Sequence, residues 1–243
     1  MSLLQKFEAY YLEAKANRWF WLFSLFCRIS LAYGFTVAGI TKIVGERFAS
    51  GLSVKHPMGA YLEALHHTGY YYEVIGYAQV LAALLLLIPR TVLLGALLYL
   101  PIIFNIWILS YAVRFEGSIV TSPLMTLAVL FLIVWHYDRV RYLLPFKSYS
   151  DMGIVGKASH YSWKFPYFFV SGVVATIAVV VSFAFYGHEV MPRNSLKDCK
   201  KQFVGTEREA AGYAFCECIH TEGSDLNVCV DQFDAMKKSS AYC

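Results

Sequence analysis

The chain has 243 residues, 58% of them hydrophobic and 17% aromatic, with a net charge of only +4. That apolar fraction exceeds what a soluble domain needs to fill a core, so a bilayer is its natural solvent. The basic residues are scattered, which argues against a nucleic-acid surface or a polybasic lipid patch and leaves membrane lipids and protein subunits as the expected partners.

Residues 1–18, MSLLQKFEAYYLEAKANR, are too long and too acidic for the n-region of a signal peptide, and no small-residue cleavage site follows. They read as an amphipathic cytoplasmic segment ahead of a first span kept as a signal anchor. Runs of about 20 apolar residues place spans near 19–44, 72–88, 91–113, 121–137 and 166–187. Pro89 and Arg90 close the short second span at once, which predicts a tight antiparallel hairpin with the third and puts Arg90 at the membrane surface. Trp135, His136 and Tyr137 end the fourth span, and Trp163, Pro166 and Tyr167 open the fifth, as aromatic belts do.

The connections carry unequal charge. One side receives Lys6, Lys15, Arg18, Arg90, Arg139, Arg141, Lys147, Lys157 and Lys164; the other receives Arg47, Lys55 and Arg114, with Arg193 and Lys197 at the root of the tail. The positive-inside rule makes the first side cytoplasmic, and an odd number of spans puts the C-terminus outside. Cysteine usage gives the same answer, because Cys199, Cys216, Cys218, Cys229 and Cys243 all fall in the last 45 residues. A segment so poor in apolar residues needs disulfides, which form on the oxidising side of a membrane. Five is odd, the pairing is not legible, and Cys243 is the expected unpaired residue.

The fold class expected is an all-α membrane protein. A four-helix bundle spans 19–137 with an outer loop at 45–71, a basic cytoplasmic loop covers 138–165, a fifth transmembrane helix covers 166–187, and a small disulfide-stapled extracytoplasmic tail covers 188–243.

Arg28, about 13 Å into the first span at roughly 1.5 Å per residue, is the most informative position. An intramembrane charge faces the bundle interior or a wet cavity, so Arg28 either locks the bundle or holds an anionic or quinone-like ligand. Cys27 beside it reads as a small core residue. Steps of three and four from Arg28 give Ala32, Phe35, Gly39 and Lys42, one stripe of basic and small residues on which a neighbouring helix packs closely. Lys42 is placed to snorkel and to pair with Glu46 one turn on. The facing surface is read as Gly76, Gln79 and Ala83 of span two, with Glu73 at its outer end. Gln79 and, in span three, Asn105 must find hydrogen bonds and read as helix-to-helix contacts.

The outer connection contains MGAYLEALHH, an amphipathic stretch expected to lie in the membrane plane. Glu63, His66 and His67 have the i, i+3, i+4 spacing that brings two side chains to one metal, with His56 near in sequence. No complete metal motif accompanies them, and they read as interfacial polar residues. Cys216-Glu217-Cys218 invites a redox reading, but it is not the C-x-x-C of most oxidoreductases and reads as structural. No phosphate loop, nucleophile elbow or haem-attachment motif is present, so no catalytic residue is assigned.

The stretch RISLAYGFTVAGITKI, Arg28 to Ile43, resembles the opening helix of the DoxX family, with an early basic residue and a G-x-x-K ending at Gly39 and Lys42. EVIGYAQVLAALLLLIPRTVLLG, Glu73 to Gly95, resembles that family's second helix, tight turn and third-helix start. With span four, the likeness covers roughly 20–140 and implies a compact four-helix membrane bundle. It fixes no reaction, because DoxX relatives include oxidoreductase subunits and assembly factors, and this chain adds a fifth span and the tail. The expected function is a subunit or accessory factor of a bacterial inner-membrane or cell-envelope complex that docks through its periplasmic tail. The alternative is a quinone- or thiol-linked redox protein, in which Arg28, Lys42, Gln79 and Glu73 line a cavity; quinone is the one cofactor considered. A small-molecule or lipid transporter fits least, since no internal repeat or pair of broken helices is evident.

Overall fold

The computed structural model describes residues 3–141 and 161–240, and every regular element in them is helical. Helix α1, Leu3–Ala16, stops at Asn17, whose side chain accepts from the Trp19 N–H (2.9 Å) and so caps α2, Arg18–Ile43. Asparagine suits that place because its oxygen replaces a helical acceptor that the first turn lacks. The Asn17 amide also donates to the Lys164 carbonyl (2.8 Å), which fixes the segment before α8 to this corner.

Among the described residues, four helices are long and apolar enough to cross a membrane: α2; α4, Tyr70–Leu87; α5, Val92–Ala112; and α8, Tyr167–Tyr186. Between α2 and α4 lies the short α3, Pro57–His66, where the sequence predicts an in-plane helix. The expected fourth span is the helix α6, Thr121–Trp135, and at 15 residues it is shorter than the others. Its length of about 22 Å falls short of a hydrocarbon core of about 30 Å. Hydrogen bonds rather than polarity set its ends. The Ser122 hydroxyl turns back to the Ser118 carbonyl (2.6 Å), and the His136 ring bonds the Leu132 carbonyl (2.8 Å) where the chain bends into α7, Tyr137–Val140.

Helices α2, α4, α5 and α6 share one core, which includes Leu31, Phe35, Ala83, Leu86, Ala96, Tyr99, Val129 and Leu132. Phe35 stacks on Tyr99. The α4–α5 hairpin forms as the sequence predicts. A Cβ on Gly95 would stand 2.8 Å from the Leu86 nitrogen, so only glycine lets α5 leave the turn this close to α4. Helix α8 stands outside the bundle, with Ala184 its one buried residue. It touches the bundle near its two ends, through Phe169 against Phe20 and Phe23, and through Phe183 against Tyr111.

Helix α1 lies across one end of the bundle, and its Tyr11 hydroxyl donates to the Asp138 carboxylate (2.7 Å). At the opposite end, beside α3, the chain after α8 folds into a separate small core. Its elements are α9, Leu196–Lys201; α10, Glu209–Glu217; a π-helical turn, Cys218–Glu222; and α11, Leu226–Ser240. Phe203, Phe215, Ile219 and Phe233 fill that core around two disulfides.

Candidate functional site

The α2 stripe read from the sequence does face α4. A Cβ on Gly39 would lie 2.8 Å from the Gly76 carbonyl oxygen, and one on Gly76 would lie 2.8 Å from the Gly39 carbonyl oxygen. The two glycines are where the helices come closest, and small residues permit such an approach. Ala32, Phe35, Gly39 and Lys42 are buried on one side of the crossing, and Gly76, Gln79 and Ala83 on the other.

Arg28 is half-buried beside the last turn of α4 rather than at mid-helix. Its Nε donates to the Leu86 carbonyl (2.7 Å) and its Nη2 to the Leu87 carbonyl (2.6 Å). The last four carbonyls of a helix have no intrahelical donor, so the guanidinium supplies what the helix end lacks. The locking alternative for Arg28 therefore has its partners. Lys42 does not snorkel to Glu46. It is 7% exposed, donates to its own helix at the Ala38 carbonyl (3.0 Å), and stands over the rings of Phe48 (4.7 Å) and Tyr72 (5.8 Å). The Glu46 backbone carbonyl accepts from the Tyr72 hydroxyl (3.0 Å), next to the turn at Gly45, whose φ is positive.

Gln79 is buried as expected, but its Oε1 has no hydrogen-bond partner among the described residues. Glu73 and Asn105 are exposed, so neither joins Arg28, Lys42 or Gln79. Of the two cavities described, one of about 490 Å³ lies between α1 and the start of α8, and one of about 470 Å³ lies along the end of α8. None of these five residues lines either cavity.

In the loop at the α3 end, Glu63 is held by Arg47 (2.8 Å) and by the His67 ring (3.0 Å), while His66 reaches the Gly45 carbonyl (3.0 Å). The carboxylate is thus engaged by a guanidinium, and the two imidazoles take different partners. Among the described residues, no three His, Cys, Asp or Glu side chains gather as a metal-ligating group.

The tail cysteines pair as Cys199–Cys216 and Cys218–Cys229, and all four are buried. Cys243 lies outside the described residues, and the free cysteine among them is the buried Cys27. Residues two apart on a helix do not face one another. Cys216 lies in the last turn of α10 and Cys218 opens the π turn, so each takes its own partner and they form no exchangeable pair.

The junction between tail and bundle brings together residues that the sequence did not connect. Arg193 pairs with Glu116 (2.7 Å), Arg114 donates to the Val190 carbonyl (2.9 Å), and Lys55 donates to the Thr221 carbonyl. Met191 packs with Ile119 and Ala184. At the centre, His56 and His220 stand 5.8 Å apart. His56 Nδ1 accepts from the Met58 N–H (3.1 Å) and caps α3, so its proton sits on Nε2, which is buried with no hydrogen-bond partner in good geometry among the described residues. Burial, and then the neighbouring His220, push the His56 pKa down to about 4, against an opposing effect of the Arg193 backbone. The one signal for this role in the sequence is Pro57, a residue favoured at the first helical position, which marks His56 as a cap.

These features define an all-α, multi-pass membrane protein with a disulfide-stapled helical appendage seated on one end of its bundle. The chain belongs to the family of the uncharacterized protein YwoB of Bacillus subtilis (strain 168). It is 34% identical to that protein over 125 residues, which cover 49% of this chain and 79% of YwoB. No family model matches the chain, and no solved structure matches it.

Proposed function

We propose that this protein is a membrane-embedded accessory or assembly subunit of a larger inner-membrane or cell-envelope complex, and that the α9–α11 appendage is its docking surface. One observation carries the reading: a covalently stapled domain with its own core is held rigidly at the bundle end by Arg114, Arg193 and Lys55, while its charged side chains face outward. Rigid presentation lowers the entropy that a partner must overcome on binding. The polar face of α11 and the nearly unburied α8 give such a partner one surface above the membrane and another within it.

The DoxX-type reading of the bundle is supported by the α2–α4–α5–α6 core and by the buried Gly39 and Lys42 of its G-x-x-K ending. The excess of Arg and Lys at the α1 end, with disulfides at the other, supports a cytoplasmic N-terminus and a periplasmic tail. The redox alternative has less support, because Arg28 is engaged with backbone carbonyls and Cys216 and Cys218 sit buried in separate disulfides.

The test is in-membrane crosslinking from the α11 surface, followed by detergent isolation and mass spectrometry, for the full chain and for a chain ending after residue 195. A second polypeptide recovered in fixed stoichiometry, crosslinked to α11 and lost on truncation, is the expected result. Recovery of this chain alone, with truncation silent, would overturn the proposal.

A further inference from the structure

We propose that two copies of this chain pair through α5, with the Asn105 carboxamides hydrogen-bonded to each other across a two-fold axis normal to the membrane. The proposal rests on α5 being a membrane span and not on any partner of the tail.

Helix α5 buries one face in the bundle, through Leu93, Ala96, Tyr99, Ile103 and Ser110. Its opposite face is uncovered. Leu94, Pro101, Asn105, Ile108 and Ala112 are all exposed there, with Phe104 alongside. Most of that surface suits lipid, but Asn105 does not. It lies three residues past the middle of the helix, about 5 Å along the axis, so the amide sits deep in the hydrocarbon. Its side chain has no hydrogen-bond partner within the described residues. An amide facing acyl chains loses its hydration and gains nothing for it. Pro101, one turn earlier on the same face, has no N–H to give to the Leu97 carbonyl, so this face is short of hydrogen bonds twice over.

Two features select a second copy of the chain as the occupant. The carboxamide is self-complementary: it carries donor and acceptor together, so an identical amide across a two-fold axis satisfies both. The exposed positions also recur at the intervals of a helix seam. From Pro101 the steps to Asn105, Ile108 and Ala112 are four, three and four residues, the spacing at which two parallel identical helices mesh, and Asn105 falls in the seam rather than beside it. A single asparagine in such a seam fixes register and favours a dimer. Lipid tails offer neither complementarity.

The experiment is oxidative crosslinking of the full chain in membranes. Cysteine is placed in the seam by Ile108→Cys and on another lipid-facing surface by Leu84→Cys in α4, where the leucine is also exposed. Ile108→Cys is expected to give a disulfide-linked dimer of this chain, and Leu84→Cys is not. Adding Asn105→Leu should weaken dimer affinity about tenfold, the contribution of one intramembrane amide pair, and lower the crosslinked fraction accordingly, whereas Asn105→Gln should retain most of it. Native mass spectrometry of the wild type and Asn105→Leu without added cysteines should show the same shift from dimer to monomer. Equal crosslinking at both positions, no crosslinking at either, an Asn105→Leu variant that dimerises like the wild type, or an Ile108→Cys chain that crosslinks to a different polypeptide would each overturn the proposal.

Discussion

Two hydrogen bonds from one guanidinium, to Leu86 and Leu87, take up carbonyls that no helical N–H reaches. Replacing Arg28 by leucine leaves both carbonyls unmet at the end of α4, and replacing it by lysine restores one at most, because an ammonium lacks the planar fork that spans two adjacent oxygens. Arg28→Leu is expected to lower bundle stability by roughly 1–3 kcal/mol, with Arg28→Lys between it and the wild type, read as thermal unfolding in detergent. An unchanged melting temperature for Arg28→Leu would remove the locking role and return this residue to ligand binding. Lys42 needs a different account. Its Nζ donates once, to Ala38, and otherwise faces the rings of Phe48 and Tyr72, so the positive charge rests on π faces rather than on a carboxylate.

At the scale of elements, the α2–α4 crossing depends on two glycines whose missing side chains allow backbone-to-backbone contact. Gly76→Val would place carbon 2.8 Å from the Gly39 oxygen and against Lys42, so the helices must separate. The expected outcome is loss of folded protein in detergent, while the same substitution at Gly172 in α8, with nothing within 4 Å, should be tolerated; parallel yields and melting curves check both. This crossing was legible because steps of three and four from Arg28 select one helical face. The α4–α5 hairpin was legible from Pro89. The faces of α5 were not, since a helix apolar all round has no polar side to orient it, and Asn105 and Glu73 turned outward where helix contacts were expected. Disulfide pairing was also beyond the sequence, because it depends on how α9, α10 and α11 meet. With the pairing known, Cys216→Ser should cost about 3 kcal/mol for a loop of this length. The loss should be confined to the tail, seen as faster proteolysis of α9–α11 with an unchanged bundle transition.

At the scale of the whole molecule, the tail and the α3 loop meet at a buried histidine pair, which links their association to pH. In the docked state His56 is 1% exposed, its Nδ1 caps α3, and His220, Arg193 and Lys55 crowd the same junction with basic groups. The facing acid, Glu116, is already paired with Arg193. An added proton on Nδ1 removes the cap acceptor and places an uncompensated charge among these groups. With the docked pKa near 4 and an undocked value near 6.5, the undocked state binds the extra proton throughout that interval. Docking is therefore strongest above about pH 6.5, weakens as pH falls toward 4, and loses nothing more from this group below that. A depression of this size corresponds to up to about 3 kcal/mol between the two limits. Once corrected for the intrinsic slowing of amide exchange with falling pH, the protection of α3 and of the π turn should drop between pH 7 and pH 5 in the wild type. His56→Ser keeps a capping oxygen but does not titrate, so its exchange should follow only the intrinsic pH trend. If the wild type and His56→Ser changed in parallel across this range, the histidine would not be what couples tail docking to protons.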